Sequence, residues 1–450
     1  MLFLAGLIAL LVSRDPGESP LAFVQEPERA LALVVERTME LRDALARAPA
    51  WERRFYELTI TDGAAELERA ITWYEALARE SVHPEVDLRL AMLHGEAGHL
   101  AEVRETVATW HARGPPFDVY AVLIAAAYLD GPVPASGDAL RELLTMTPEG
   151  WFGTRLAERL ARRTSEAAWL EALGASTASR MQQILRRVRA ITIAELALLA
   201  GGLVAVVLLL KRGPAGAVVA YGDVPPPWAL GAGLTVIVRG AAAGALVAVG
   251  LLYAVDSPLV DALAVPLINL PIVLLAGRHL TPPPAPALAS TLGLRPRRGG
   301  GRPLVLTAVT LVAAGLVMDL AVGMAGESLA VTPDWTEWFD ADLAWGAPAM
   351  VAAALASIVL FAPVFEEIVF RGLLFGTLRN AFGWPLAAAL SAAVFALAHG
   401  YGSLGFASVF LSGILWAYAY EATGSLLPGI VAHAVNNIIA SASVLLLIRV

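Results

Sequence analysis

The sequence predicts an all-α chain in two parts, a soluble helical domain followed by a polytopic transmembrane bundle of about eight spans. Composition and charge distribution carry that prediction. Of 450 residues, 57% are hydrophobic, and the mean hydropathy is +0.65. Residues 1–190 hold 27 acids and 21 bases, a quarter of the segment, whereas residues 191–450 hold only 13 and 11. The first part has the charge density of a water-soluble domain, and the second is too apolar to be one. Its long continuous apolar runs also exclude an outer-membrane barrel, whose strands alternate. A net charge of −8 with no long block of Lys or Arg argues against a nucleic-acid partner. With no cysteine, disulfides, thiolate zinc sites and cysteine nucleophiles are excluded.

Residues 1–20 begin with the apolar run MLFLAGLIALLVS, too short at ~1.5 Å per residue to cross a ~30 Å hydrocarbon core. Arg14 follows the run, whereas a signal peptide carries positive charge before it. The segment reads as a short anchor, a signal remnant, or a terminal helix packed on the domain that follows. Residues 21–190 read as helical: Leu67, Ile71, Tyr74 and Leu77 recur at three and four, with Pro and Gly between such segments. RAITWYEAL (69–77) finds an echo about 36 residues later near ETVATWHARGPP (105–116). With the intervening helix–turn–helix pattern, this resembles tetratricopeptide-type hairpins, whose period is ~34. An irregular helical domain is the alternative. His94 and His99 flank Glu96 but are five apart with two glycines between, unlike the HExxH of zinc proteases, so they are expected on a turn without a metal.

From Ile191 the expected spans are 191–210, 232–255, 259–277, 304–325, 345–365, 382–399, 404–421 and 426–448. The first four, with their linkers, make an accessory region 191–344, and 345–450 is the segment that carries chemistry. Only helices suit such runs in lipid, because each backbone amide must be satisfied within its own segment. Linker 278–302 carries five arginines and no acid, whereas 326–346 carries Glu327, Asp334, Glu337, Asp340 and Asp342 and no base. The positive-inside rule then makes the arginine linker and Lys211–Arg212 cytoplasmic and puts residues 21–190 outside. Arg180, Arg186, Arg187 and Arg189, just before the first span, oppose that assignment.

Charged groups within spans cost ~2.5–3.5 kcal/mol each at the bilayer centre, so those after residue 345 ask for reasons. Arg379, Glu421 and Arg449 fall at span ends and can snorkel to water. In FAPVFEEIVFRGLLFG (361–376), two glutamates are expected to open a helix. Glu367 can pair with Arg371 four residues on, leaving Glu366 on another face as a candidate general base. The bland alternative is a solvated helix end. His399 closes SAAVFALAH, and His433 and Asn437 share a helical face, with Asn436 pointing away. One carboxylate and two histidines from separate helices could hold a hydrolytic water or a divalent metal, and the Asn437 amide an oxyanion.

The ordered set EExxxR (Glu366, Glu367, Arg371), FxxxH (Phe395, His399) and HxxxN (His433, Asn437) resembles the CAAX-prenyl-protease and bacteriocin-processing family of intramembrane proteases. The surrounding words YEATGSLLPGIVAHAVNN and STLGLRPRR are similar too. The resemblance covers about 345–445. It implies endoproteolysis of a membrane-embedded or membrane-anchored substrate in a cell membrane, the inner membrane if bacterial, without a covalent intermediate. Glu366, assisted by His399, would activate water. His433 and Asn437 would bind the oxyanion or a metal, and Glu367 and Arg371 would hold the site in place. It also implies either a divalent metal such as zinc, with His399, His433 and Glu366 as candidate ligands, or a metal-free glutamate mechanism. Two other classes compete: a non-catalytic scaffold recruiting a protein partner through 21–190, and an ion-coupled transporter, which Asp319 would suit. The complete motif set argues against the first, and the lack of an internal repeat in the membrane part against the second.

Overall fold

The computed structural model describes residues 21, 24–59, 63–131, 133, 136–211, 224–251, 253, 257–282, 286–295 and 301–449. The apolar run 1–13 and Arg212 lie outside them. The described residues are helical, with no strand among them, and two compact units divide the chain at Ala190 and Ile191.

Within Ser19–Ala190, α1 (Pro27–Ala46), α2 (Ala50–Thr59), α3 (Gly63–Ala78), α4 (Pro84–Ala97), α5 (Leu100–Trp110), α6 (Phe117–Tyr128), α7 (Gly137–Leu144) and α8 (Trp151–Arg163) follow in order. Pro27 and Pro84 start α1 and α4, where the missing N–H costs nothing. Gly98, at φ 82°, ends α4 in the left-handed conformation glycine tolerates. Helices α3 and α4 pack together, as do α5 and α6, while α8 packs on α1 and α6. Leu31, Met39, Tyr74, Leu88, Trp110 and Phe152 fill the centre. The Glu96 side chain is covered by Arg155 and Arg159, and their hydrogen bonds outweigh the upward pull of burial and bring its carboxyl to about 2. His94 lies in the last turn of α4 rather than on a turn. Its Nδ1 is 3.2 Å from that of His99, the residue capping α5.

Beyond Ile191 the helices are the continuation of α9 (Ala167–Lys211), α10 (Leu230–Leu251), α11 (Pro258–His279), α12 (Gly301–Ser328), α13 (Pro348–Arg379), α14 (Trp384–His399), α15 (Ser403–Thr423) and α16 (Leu427–Ile448). All but α14 are long and apolar enough to cross a membrane, which gives seven such helices among the described residues where eight were expected. Helix α14 stands within the span 382–399 that the sequence suggests. It starts after Gly383, stops at Gly400 (φ 66°), and its 16 residues make only ~24 Å of helix. The span expected at 345–365 is also corrected: α13 runs on to Arg379, with Glu367 and Arg371 paired inside the protein. Two stretches of α13, Ala356–Phe361 and Glu367–Phe375, are π-helical, an arrangement frequent at functional sites.

The connections sort into two ends. At one, Glu337 Oε1 accepts from Gly402 N at 2.6 Å, and Arg449 donates to the carbonyls of Leu343 and Gly346, both at 2.9 Å. At the other, Ser425 Oγ donates to Gly293 O at 2.6 Å and Asn380 Nδ2 to Trp228 O at 2.9 Å. This is the pairing that alternating crossings of α10 to α16 require, α14 included. Acids Glu327 to Asp342 gather at the first end, and Arg278, Arg295, Arg302 and Arg379 at the second. Arg379 does not snorkel freely, since it is paired with Glu421 at 2.9 Å. Arg449 is spent on the two carbonyls.

Candidate active site

Glu366 and Glu367 do not open a helix; they lie just past the middle of α13. Glu367 Oε1 is 3.0 Å from an Arg371 guanidinium nitrogen, and both side chains are 1% exposed. The approach is off the hydrogen-bonding angle, so the two are held as opposite charges. Aromatic faces complete the setting: Arg371 Cζ lies 4.1 Å from the Phe395 ring centroid and 4.9 Å from that of Trp416. Two glycines make room for the pair. A Cβ on Gly413 would meet Ala392 at 2.8 Å and the Arg371 guanidinium at 3.0 Å, and one on Gly429 would meet Glu367 Oε2 at 2.9 Å. Gly413→Ala is therefore expected to lower stability by about 1–3 kcal/mol, the usual cost of overpacking a filled interior. Thermal unfolding of the detergent-solubilised protein checks it, and an unchanged midpoint would mean that the arginine yields freely.

Glu366 faces elsewhere. Its Oε2 is buried, has no hydrogen-bond donor among the described residues, and lies 3.8 Å from His433 Nε2. The opposite nitrogen of that ring, Nδ1, is 3.4 Å from Glu367 Oε1, so His433 stands between the two glutamates. Trp416 stacks on the imidazole at 4.3 Å and 20°, fixing its plane. His399, the last residue of α14, places Nδ1 2.8 Å from Phe395 O. A carbonyl only accepts, so Nδ1 carries the proton and Nε2 is left as an acceptor. Asn437 Nδ2 donates to Ile358 O at 2.8 Å, tying α16 to the first π-helical turn of α13 and leaving its second N–H uncommitted.

Glu366, His399, His433 and Asn437 line one cavity of about 490 Å3, while Glu367 and Arg371 lie behind it, off the lining. Asn436 and Asp319 line the cavity as well. The acidic segment Trp335–Trp345 contributes Glu337, Trp338 and Asp340 to the wall, so the cavity reaches the acidic end of the bundle. The donors do not fit zinc as arranged. Among the described residues no three His, Cys, Asp or Glu side chains gather closely enough for one ion, whereas catalytic zinc takes three protein ligands.

Trp416, Gly413 and Gly429 escaped the sequence reading. The first two share a face of α15 at i and i+3, and a small residue within an apolar span is the usual mark of close helix approach, so the signal was present. No curated protein and no solved structure matches the chain. Residues 348–439, the stretch holding all six expected site residues, match the family model described as type II CAAX prenyl endopeptidase, Rce1-like.

Proposed function

We propose that the membrane unit is an endopeptidase that hydrolyses a peptide bond of a membrane-associated substrate, with Glu366 as the base that activates water. The observation that carries this reading is the unpartnered Glu366 Oε2 facing His433 within a cavity that the acidic loop also lines. The water's proton passes to Glu366 as its oxygen attacks the scissile carbonyl, and His399 Nε2 is the second acceptor on the cavity wall. His433 and the free N–H of Asn437 stabilise the oxyanion. Glu366 then returns the proton to the leaving amine, so no covalent intermediate forms. Glu367 and Arg371 hold α13 and His433 in register. No step uses a metal. Internally quenched peptides with an apolar helix, incubated with the purified protein, test the reading. Two fragments from one bond and no protein adduct by mass spectrometry are expected, and the absence of cleavage across a broad peptide set would contradict it.

The helical domain serves recognition. Consecutive packing of α3 with α4 and α5 with α6 supports a tetratricopeptide-like hairpin stack, an architecture used to grip other chains. Deleting 21–180 is expected to spare cleavage of a small generic peptide and to reduce turnover of the physiological substrate. Loss of both in a monodisperse truncated protein would give the domain a part in catalysis. The arginine-bearing end is assigned to the cytoplasm and the domain to the outside of an inner membrane. Protease added to intact spheroplasts is then expected to trim the domain, and full protection would reverse the orientation.

A further inference from the structure

We propose that the cavity selects substrates with a lysine or arginine side chain beside the scissile bond, and that Asp319 receives that cation. The proposal rests on the peptidase reading of the same cavity and names its substrate class.

Asp319 sits in α12 nine residues before its end at Ser328, ~14 Å along the axis, between the exposed apolar side chains of Val317 and Met324. A carboxylate placed so deep is costly unless something compensates it. Its hydrogen-bond partner is Ser408 Oγ on α15, which supports one oxygen and cancels no charge. The remaining acidic lining residues are Glu337, Asp340 and Glu366, and among the described residues neither Lys nor Arg lines the cavity. Two of these acids have structural tasks, Glu337 accepting from Gly402 N and Asp340 from Leu343 N. Asp319 has none of that kind. The guanidiniums of the same unit that could answer it are committed, Arg371 to Glu367 and Arg449 to two carbonyls.

A second observation points to a polar occupant. Ser412 and Ser441 line the cavity, are 7% and 4% exposed, and their hydroxyls have no hydrogen-bond partner among the described residues. Each hydroxyl thus opens onto the cavity and can donate to or accept from an occupant. A volume of about 490 Å3 is in the range of ligand pockets. In such a low-dielectric recess of one sign of charge, a substrate ammonium or guanidinium gains a charge-assisted hydrogen bond to Asp319, which an apolar side chain of equal length cannot make.

The probe is a set of quenched helical peptides that differ only in carrying lysine or norleucine at each position around the scissile bond. At one position the wild type is expected to prefer lysine by about tenfold to a hundredfold in kcat/KM, the range of one charged hydrogen bond. Asp319→Asn keeps a hydrogen bond to Ser408 but removes the charge, and the lysine-to-norleucine ratio is expected to fall to about one. A wild type without preference, an Asn variant with the wild-type ratio, or equal losses on both peptides would overturn the proposal, the last being what a purely structural contact gives. Asp319→Glu covers a misfolded Asn variant: its longer arm is expected to move the preference to ornithine, and an unmoved order overturns the assignment. Binding of both peptides to Glu366→Gln protein separates this inference from the peptidase reading. If the wild type cuts neither but the lysine peptide binds more tightly, the cation site stands and the peptidase reading falls. If both bind equally, the cation site falls.

Discussion

Replacing Glu366 with glutamine is expected to lower peptide hydrolysis by about 10²–10⁴-fold, the range of a positioned general base. Glutamine keeps the size and polarity of the side chain, and Glu366 makes no ion pair with an arginine whose loss would unfold α13. The variant should insert, extract and unfold as the wild type does, so that the loss lies in the chemical step. His433, whose Nε2 lies 3.8 Å from Glu366, keeps its other carboxylate neighbour, Glu367, at Nδ1 in the variant. Activity of the glutamine variant within a few-fold of wild type would remove Glu366 as the base. Simultaneous loss of folding would assign it a structural role.

Breaking the pair behind the site should act in the opposite order, on stability first. Glu367→Ala or Arg371→Ala each leaves a buried charge uncompensated, a defect of about 3–5 kcal/mol. Few membrane domains tolerate that much, so reduced yield, a lower unfolding midpoint and lost activity should appear together. Removing both charges at once, as Glu367→Leu with Arg371→Met, should be milder than either single change, because no orphan charge remains. Exchanging the two residues is expected to fail. The arginine position is shaped by Phe395, Trp416 and Gly413, and the glutamate position by Gly429, where even an added Cβ would crowd the carboxylate. Single variants as stable as the wild type would mean that the pair carries no such energy.

Much of the membrane architecture was legible because a span is a local property: twenty apolar residues announce themselves without knowledge of their neighbours. The misreadings arose where tertiary neutralisation overrides that local rule. Glu366 and Glu367 looked like a helix end because charge normally ends a span, yet Glu367 is paired with Arg371, whose guanidinium lies against Phe395 and Trp416, and α13 continues to Arg379. Arg379 and Glu421 looked like separate snorkelling ends because they lie on different helices, and only the packing of α13 and α15 shows them as partners. The site followed the same division. Residues of distinctive chemistry, such as His399, His433 and Asn437, stood out from an apolar background. Trp416, whose ring orients His433, did not, because an aromatic in a membrane helix is ordinary. Asp319 stood out as an acid, but its place on the shared cavity depends on how α12 meets α15 and α16, which no local pattern encodes.

Cleavage of membrane-associated chains by this bundle is proposed to depend on Glu366. The most direct measurement compares labelled N-termini across the membrane proteomes of cells carrying the wild type and cells carrying Glu366→Gln at equal membrane levels. A set of new N-termini, within or a few residues from apolar spans, is expected only with the wild type. Identical sets of N-termini in the two proteomes would contradict it.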